Sequence, residues 1–253
     1  MAREQIEAHA MVLRAVDYSE RDVVLTLLFE GLGKRSAIAK GGKASKKRFA
    51  GALEKFRVCR FTFTDRGPEK MAVLGEAKVV EDYPGIEGSF DKISVAAYAT
   101  EMVRELLRDG EGGEGMFSSL VRHYRQMSEC EDEVERLEAD LHTFTLRTLT
   151  RAGFAPTLSH CVRSGKSLAE ADAWRFLLSG QGIIHPSQRR QGERTTDAPR
   201  QVIEAMGALG RGYAKELPPG DILRQMRPMM MGMVSSAVGK DLRSREFLKM
   251  VMG

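Results

Sequence analysis

A change in hydrophobic periodicity near residue 83 is the feature that most constrains the fold of this chain. Before that point, apolar and β-branched residues come in short runs separated by polar turns and glycines, which is typical of β-strands. After it, apolar residues recur about every 3.6 positions, which is typical of amphipathic helices. The chain is therefore expected to have a β-rich first third and a helical remainder.

Five runs in the first third predict strands, at residues 10–16, 22–30, 34–40, 56–64 and 71–80. In the fourth run the aromatic residues change phase, and this change predicts a β-bulge near Cys59. The OB-fold is the commonest small barrel with five strands. We predict an α+β protein, with a five-stranded OB-fold β-barrel for nucleic-acid binding at 1–82 and an α-helical domain at 83–253.

Apolar periodicity in the second part predicts six helices, at about 93–107, 116–127, 128–149, 200–214, 220–237 and from 243. Ser128 and Glu131 have the spacing of a capping box, which would begin the third of these helices. Residues 186–200 are polar and aperiodic, and this pattern predicts a loop.

The strongest functional feature is a basic segment at residues 34–60, with ten Lys and Arg side chains against one acid, Glu54. Such a concentration of charge attracts a polyanion even though the net charge of the chain is only +4. Phe49, beside two of the cations, could stack on a base or plug the barrel. The predicted nucleic-acid-binding residues are Lys34, Arg35, Lys40, Lys43, Lys46, Lys47, Arg48, Phe49, Arg57 and Arg60.

The remaining composition favours a cytoplasmic, nucleoid-associated protein. The chain has three cysteines, which suits reduced thiols, and it shows neither a secretory leader nor an apolar run long enough to span a membrane. Gly41-Gly42-Lys43 does not fit a phosphate-binding loop, because Ala37 and Ala44 occupy the positions that need Gly and Ser or Thr. The five histidines show no metalloenzyme spacing, so we expect no enzymatic activity.

Several stretches in order resemble the RecO family of recombination mediators. In the first part they are Tyr18-Ser19-Glu20, Ala39-Lys40-Gly41 and Leu53-Glu54-Lys55-Phe56. In the second part they are Gly153-Phe154-Ala155-Pro156 with Cys161, and the terminal stretch at 242–248. The resemblance implies an N-terminal OB-fold, a C-terminal helical domain that often bears a zinc module, and work with RecR, RecA and the single-stranded DNA-binding protein.

The positions of that zinc module, within about 158–190, are degenerate in this chain. A structural zinc site needs four ligands, and the corresponding positions are Cys161, Ser164, His185 and Gln188. Only the cysteine and the histidine are ordinary zinc ligands, so we expect no metal and no other cofactor.

A methionine-rich segment at 226–233 has two interpretations. Methionine usually fills gaps in a core, but it also lines adaptable peptide sites. We take Arg227 and Met229 as candidate partner-binding residues, for the acidic tail of the single-stranded DNA-binding protein.

Together these features predict a non-catalytic DNA repair and recombination mediator. It would bind and anneal single-stranded DNA, and help RecR to load RecA onto strands coated by the single-stranded DNA-binding protein. The alternative is a protein-interaction adaptor, whose barrel docks a partner and binds little DNA directly.

Overall fold

The computed structural model describes residues 5–67, 70–112, 114–212 and 216–253. The chain forms two compact units, Met1–Glu129 and Cys130–Gly253. The predicted boundary after residue 82 falls where the strands of the first unit end, and three helices beyond it also belong to that unit.

The first unit contains the predicted five-stranded barrel. Its strands are β1 (Gln5–Asp17), β2 (Val23–Phe29), β3 (Gly33–Ala39), β4 (Arg57–Thr64) and β5 (Ala72–Asp82). They close in the order β1-β2-β3-β5-β4, and β3 and β5 run parallel to each other. This is a five-stranded Greek-key barrel, so the OB-fold prediction is confirmed.

Alternating apolar residues fill the barrel because successive side chains of a strand point to opposite faces. Leu25, Leu27 and Phe29 of β2 are fully buried, and the Phe29 ring lies 4.8 Å from that of Phe63. The predicted bulge is confirmed, since the register of β4 against β5 shifts between Val58 and Cys59. A short helix, α1 (Lys46–Phe49), links β3 to β4.

Three helices complete the first unit: α2 (Pro84–Glu87), α3 (Phe90–Leu106) and α4 (Glu114–Glu129). The predicted capping box was wrong, because Ser128 lies inside α4 rather than before the next helix. Its Oγ accepts a hydrogen bond of 3.1 Å from the Gly85 amide, so the hydroxyl ties α4 to α2.

The second unit combines helices with a small sheet. The helices are α5 (Val134–Arg151), α6 (Arg200–Arg211), α7 (Gly220–Val238) and α8 (Arg245–Met252). The antiparallel sheet has the order β7-β6-β8, from β6 (Ala173–Leu177), β7 (Ile183–Ile184) and β8 (Thr195–Pro199). The loop predicted at 186–200 was therefore wrong over its last residues, where β8 pairs with β6 and Ala198 lies opposite the buried Trp174.

No helix within the described ranges is at once long and apolar enough to cross a membrane.

Candidate nucleic-acid interface

The basic segment meets the β1–β2 turn at one end of the barrel. The amide of Gly41 donates to Asp22 Oδ1 over 2.8 Å, and the amide of Lys43 donates to the Arg21 carbonyl over 3.1 Å. Lys43 Nζ also lies 2.9 Å from Asp17 Oδ2. These bonds hold the loop that leaves β3 against the turn that enters β2, so cations from two separate stretches are brought together.

We call the exposed cations of this region the basic rim: Arg21, Lys40, Lys43 and Lys47. Arg21, Lys40 and Lys47 have no ion-pair partner in the described part of the chain. Tyr18, in the same turn as Arg21, is 66% exposed. Flexible cations beside an exposed aromatic ring are what a single-strand binding surface requires, since cations neutralise phosphates and rings stack on bases.

Sequence reasoning missed Arg21. It lies thirteen positions before the basic segment and has acids on both sides, Glu20 and Asp22, so the charge count gave no sign of it. Its place follows from the hydrogen bond that joins its carbonyl to Lys43 across the two loops.

Three of the predicted cations instead form ion pairs or hydrogen bonds within the first unit. Lys34 is only 14% exposed, and its Nζ donates to the carbonyls of Arg104 and Leu107 at the end of α3. Arg35 forms an ion pair of 2.7 Å with Asp65.

Arg57 is the third, because its guanidinium lies 2.7 Å from Glu54 and 2.8 Å from Glu87. It also donates to the Gly51 carbonyl. Both Lys34 and Arg57 are largely buried and already paired, which disfavours the nucleic-acid roles predicted for them.

Arg48 and Phe49 stabilise the loop that leaves β3, and Arg48 is exposed whereas Phe49 is buried. The Arg48 guanidinium donates to the Lys40 carbonyl over 2.6 Å and to Ser45 Oγ over 3.1 Å, and it covers the Phe49 ring. Phe49 is 3% exposed and belongs to the barrel core. The base-stacking role for Phe49 was wrong, and the alternative interpretation, that it plugs the barrel, is the correct one.

Arg60 remains on the outer surface of β4. It lies opposite His9 of β1 and Lys78 of β5 in the strand register, and 3.6 Å from Glu7. It is exposed, but it is separate from the loops that form the basic rim. The side chain of Lys46 lies outside the described residues.

Of the two predicted partner-binding residues, Met229 lies in the core of the second unit and Arg227 is partly buried. Met229 is fully buried, as are Met226 and Met233 on the same helix. Arg227 donates through Nε and Nη2 to the carboxylate of the buried Glu138. The partner-binding prediction for Met229 was therefore wrong because its side chain is buried, whereas Arg227 is 16% exposed and its guanidinium is already paired with Glu138.

The four degenerate zinc positions do lie close together in the second unit. Cys161 Sγ accepts hydrogen bonds of 3.4 Å from the amides of Ser164 and His185. Burial opposes ionisation of this thiol, but the bonds from the Ser164 side chain and from backbone amides outweigh it and lower its pKa to about 7.

A zinc ion does not fit these residues. His185 Nδ1 already bonds to Ser187 Oγ over 2.8 Å, and Ser164 and Gln188 offer neither a thiol nor an imidazole. In the ranges that the structure describes, no three or more His, Cys, Asp or Glu side chains gather as metal ligands.

The fold and the surface together define a two-unit OB-fold protein, with a closed barrel and a helical unit that carries a small sheet. Residues 1–83 match the family model described as Recombination protein O N terminal, and residues 87–246 match the one described as Recombination protein O C terminal. The chain belongs to the RecO family of DNA repair proteins.

Bacterial relatives align with the chain over nearly its whole length. It is 32% identical over 252 residues to the DNA repair protein RecO of Anaeromyxobacter sp. (strain Fw109-5), covering 97% of this chain and 96% of the relative. It is 29% identical over 248 residues to the DNA repair protein RecO of Myxococcus xanthus, covering 98% of each. The resemblance first drawn from scattered motifs is thereby confirmed.

Proposed function

We propose that this protein is a non-catalytic mediator that binds and anneals single-stranded DNA during repair. The basic rim holds a strand by its phosphates, and the bases stay free to pair with a complement. Because lysine and arginine release counterions when they neutralise phosphates, this binding needs no sequence recognition.

The observation that carries the proposal is the joining of two loops into one exposed cationic surface. Arg21, Lys40 and Lys47 have no described ion-pair partner, and Lys43 is paired only with the exposed Asp17. Side chains in this state keep the freedom to follow a flexible strand. The paired Lys34 and Arg57 do not have that freedom.

The family membership supports a wider role. We propose that the protein acts in the cytoplasm with RecR and with the single-stranded DNA-binding protein, whose acidic tail it engages, and that it assists loading of RecA. The surfaces for these partners do not include Met229, which is buried, and the guanidinium of Arg227 is already paired with Glu138.

The test is a charge reversal confined to the rim. K40E/K43E/K47E should lower affinity for single-stranded DNA by about a hundredfold at low salt, because several phosphate contacts are lost. The thermal midpoint should hardly change, since exposed substitutions usually alter stability by about half a kcal/mol each.

R14E/R108E/R122E is the matched control. It makes the same change in charge at three exposed arginines of the first unit outside the rim. If both triple variants weaken binding equally, only net charge matters and the rim is not the site. If the rim variant anneals bare strands normally, the adaptor alternative replaces the present proposal.

A further inference from the structure

A groove of about 860 Å³ lies in the second unit, between the end of β6 and the C-terminal half of α7. Its floor is aliphatic, formed by Leu177, Leu178 and Met231. Helix and strand approach closely here, since a Cβ on Gly232 would lie 3.0 Å from the Leu178 side chain. The proposed function uses none of these residues.

The charges that line the groove are predominantly positive. Five basic side chains and two acidic ones line it, so three positive charges are in surplus. Both acids are already paired: Glu193 lies 2.9 Å from Arg163, and Asp241 lies 2.8 Å from Arg245. The other three lining cations are Arg190, Arg194 and Lys240.

Arg190 and Arg194 lie in the connection between β7 and β8, and hydrogen bonds fix the backbone of that connection. Glu193 accepts a hydrogen bond of 2.8 Å from the Arg190 amide, and the Arg194 carbonyl accepts one of 3.0 Å from the Leu178 amide. The backbone is thus held to the groove, while the exposed guanidinium groups of Arg190 and Arg194 have no ion-pair partner in the described ranges. Such groups suit a ligand that brings its own negative charges.

We propose that this groove is a second binding site for single-stranded nucleic acid. Guanidinium groups match phosphate oxygens in a bidentate manner, and an aliphatic floor accepts the faces of bases. Ser179 and Gln181 add polar side chains to the same lining. Charge complementarity favours a chain of phosphates, because the unpaired guanidinium groups of Arg190 and Arg194 line the same groove as the apolar side chains.

The inference rests on the proposed function in one respect, that the basic rim holds the first strand. With two sites, one protein molecule raises the effective concentration of one strand near the other. Annealing then depends on both units, whereas the affinity for a single strand is set mainly by the basic rim.

The experiment counts strands bound per chain. Native mass spectrometry of the full chain with a short single-stranded oligonucleotide should give two strands for the wild type. It should give one strand for R190E/R194E and one for K40E/K43E/K47E. Annealing of complementary strands by R190E/R194E should slow by about tenfold, because the gain in effective concentration is lost.

R211E/R224E is the matched control, since both arginines are exposed, belong to the same unit and do not line the groove. It should keep two strands and wild-type annealing. If R190E/R194E lowers the thermal midpoint, R190Q/R194Q repeats the test without adding acidic charge.

Two results would overturn the groove proposal. One is a groove variant that keeps two strands and a normal annealing rate. The other is a groove variant that binds DNA normally but no longer binds a synthetic aspartate-rich peptide with an apolar end, since the groove is then a peptide site. Unchanged binding by the rim variant, in contrast, would count against the proposed function and not against the groove.

Discussion

Glu138 of α5 has only 1% of its side chain exposed and is paired with Arg227 of α7. Burial opposes its ionisation, but hydrogen bonds from Arg227 and His142 outweigh that effect and lower its pKa to about 2. Removing Arg227 leaves this buried charge without its main partner. We expect R227M to lower the free energy of unfolding by about 3 kcal/mol, measured by urea denaturation at neutral pH.

The contribution of the Glu138–Arg227 pair to stability should depend on pH. Because the pKa of Glu138 is depressed in the folded protein, its stabilisation is present above the ordinary value of 4.5 and is lost as pH falls toward 2. In R227M, burial should instead favour the protonated form of Glu138. The difference in free energy of unfolding between R227M and the wild type should therefore become smaller as the pH falls.

His142 Nε2 lies 3.4 Å from the same carboxylate and adds a hydrogen bond to it. E138Q/R227M is the control, and it should recover much of the lost stability because no unpaired charge remains. Equal loss in the single and double variants would contradict the ion-pair account.

The buried ring of Phe49 should contribute to stability and not to DNA binding. Since its ring is buried in the barrel core, F49A should destabilise the first unit by about 3–5 kcal/mol. Thermal unfolding measures this loss. The neighbouring K47A should leave the midpoint unchanged and weaken DNA binding, so a stable F49A with impaired binding would restore the base-stacking role.

The same segment shows how far sequence could predict the site. A run of basic residues identifies the region, but charge alone does not say which cations are used internally. Lys34 and Arg57 are occupied by partners far away in the sequence, namely the end of α3 and Glu87. Arg21 joins the surface through a backbone hydrogen bond that carries no sequence signal.

At the scale of elements, the barrel was predictable and the small sheet was not. The barrel strands alternate clearly, because one face of each packs inside a closed core. β7 has two residues and β8 lies in a polar stretch, so neither shows the alternation of apolar and polar residues that predicts a strand. Their pairing with β6 depends on Trp174 and Phe176, whose burial comes from the tertiary fold.

The degenerate zinc positions flank this sheet, since Cys161 and Ser164 precede β6 and His185 and Gln188 follow β7, so the response of the second unit to metal removal is a test. Hydrogen bonds to Cys161 Sγ, rather than four metal bonds, hold the turn at 161–164. We expect a strong chelator to leave the thermal midpoint unchanged and elemental analysis to find less than one zinc per chain. A stoichiometric zinc whose removal lowers the midpoint would refute this.

At the scale of the whole molecule, binding should respond to salt. With about four to six phosphates contacted on a single strand, the slope of log affinity against log salt should lie near −3 to −4, at roughly −0.7 per contact. Fluorescence anisotropy with a labelled oligonucleotide at several salt concentrations measures the slope. The rim variant should show a flatter slope, and an affinity that hardly changes with salt would exclude phosphate-driven binding.

The barrel closes along a short parallel seam between β3 and β5, where Ala37 lies opposite Ala72 and Ile38 opposite Val73. The other seams have seven or eight residue pairs, so this one opens at a lower free energy. Amide hydrogen exchange should accordingly be faster at Ile38 and Val73 than at Leu25 and Phe61. Lys40 follows the end of β3 directly, so we expect the seam to give Lys40 mechanical compliance: its backbone can shift when these two residue pairs open, while the rest of the barrel keeps its register.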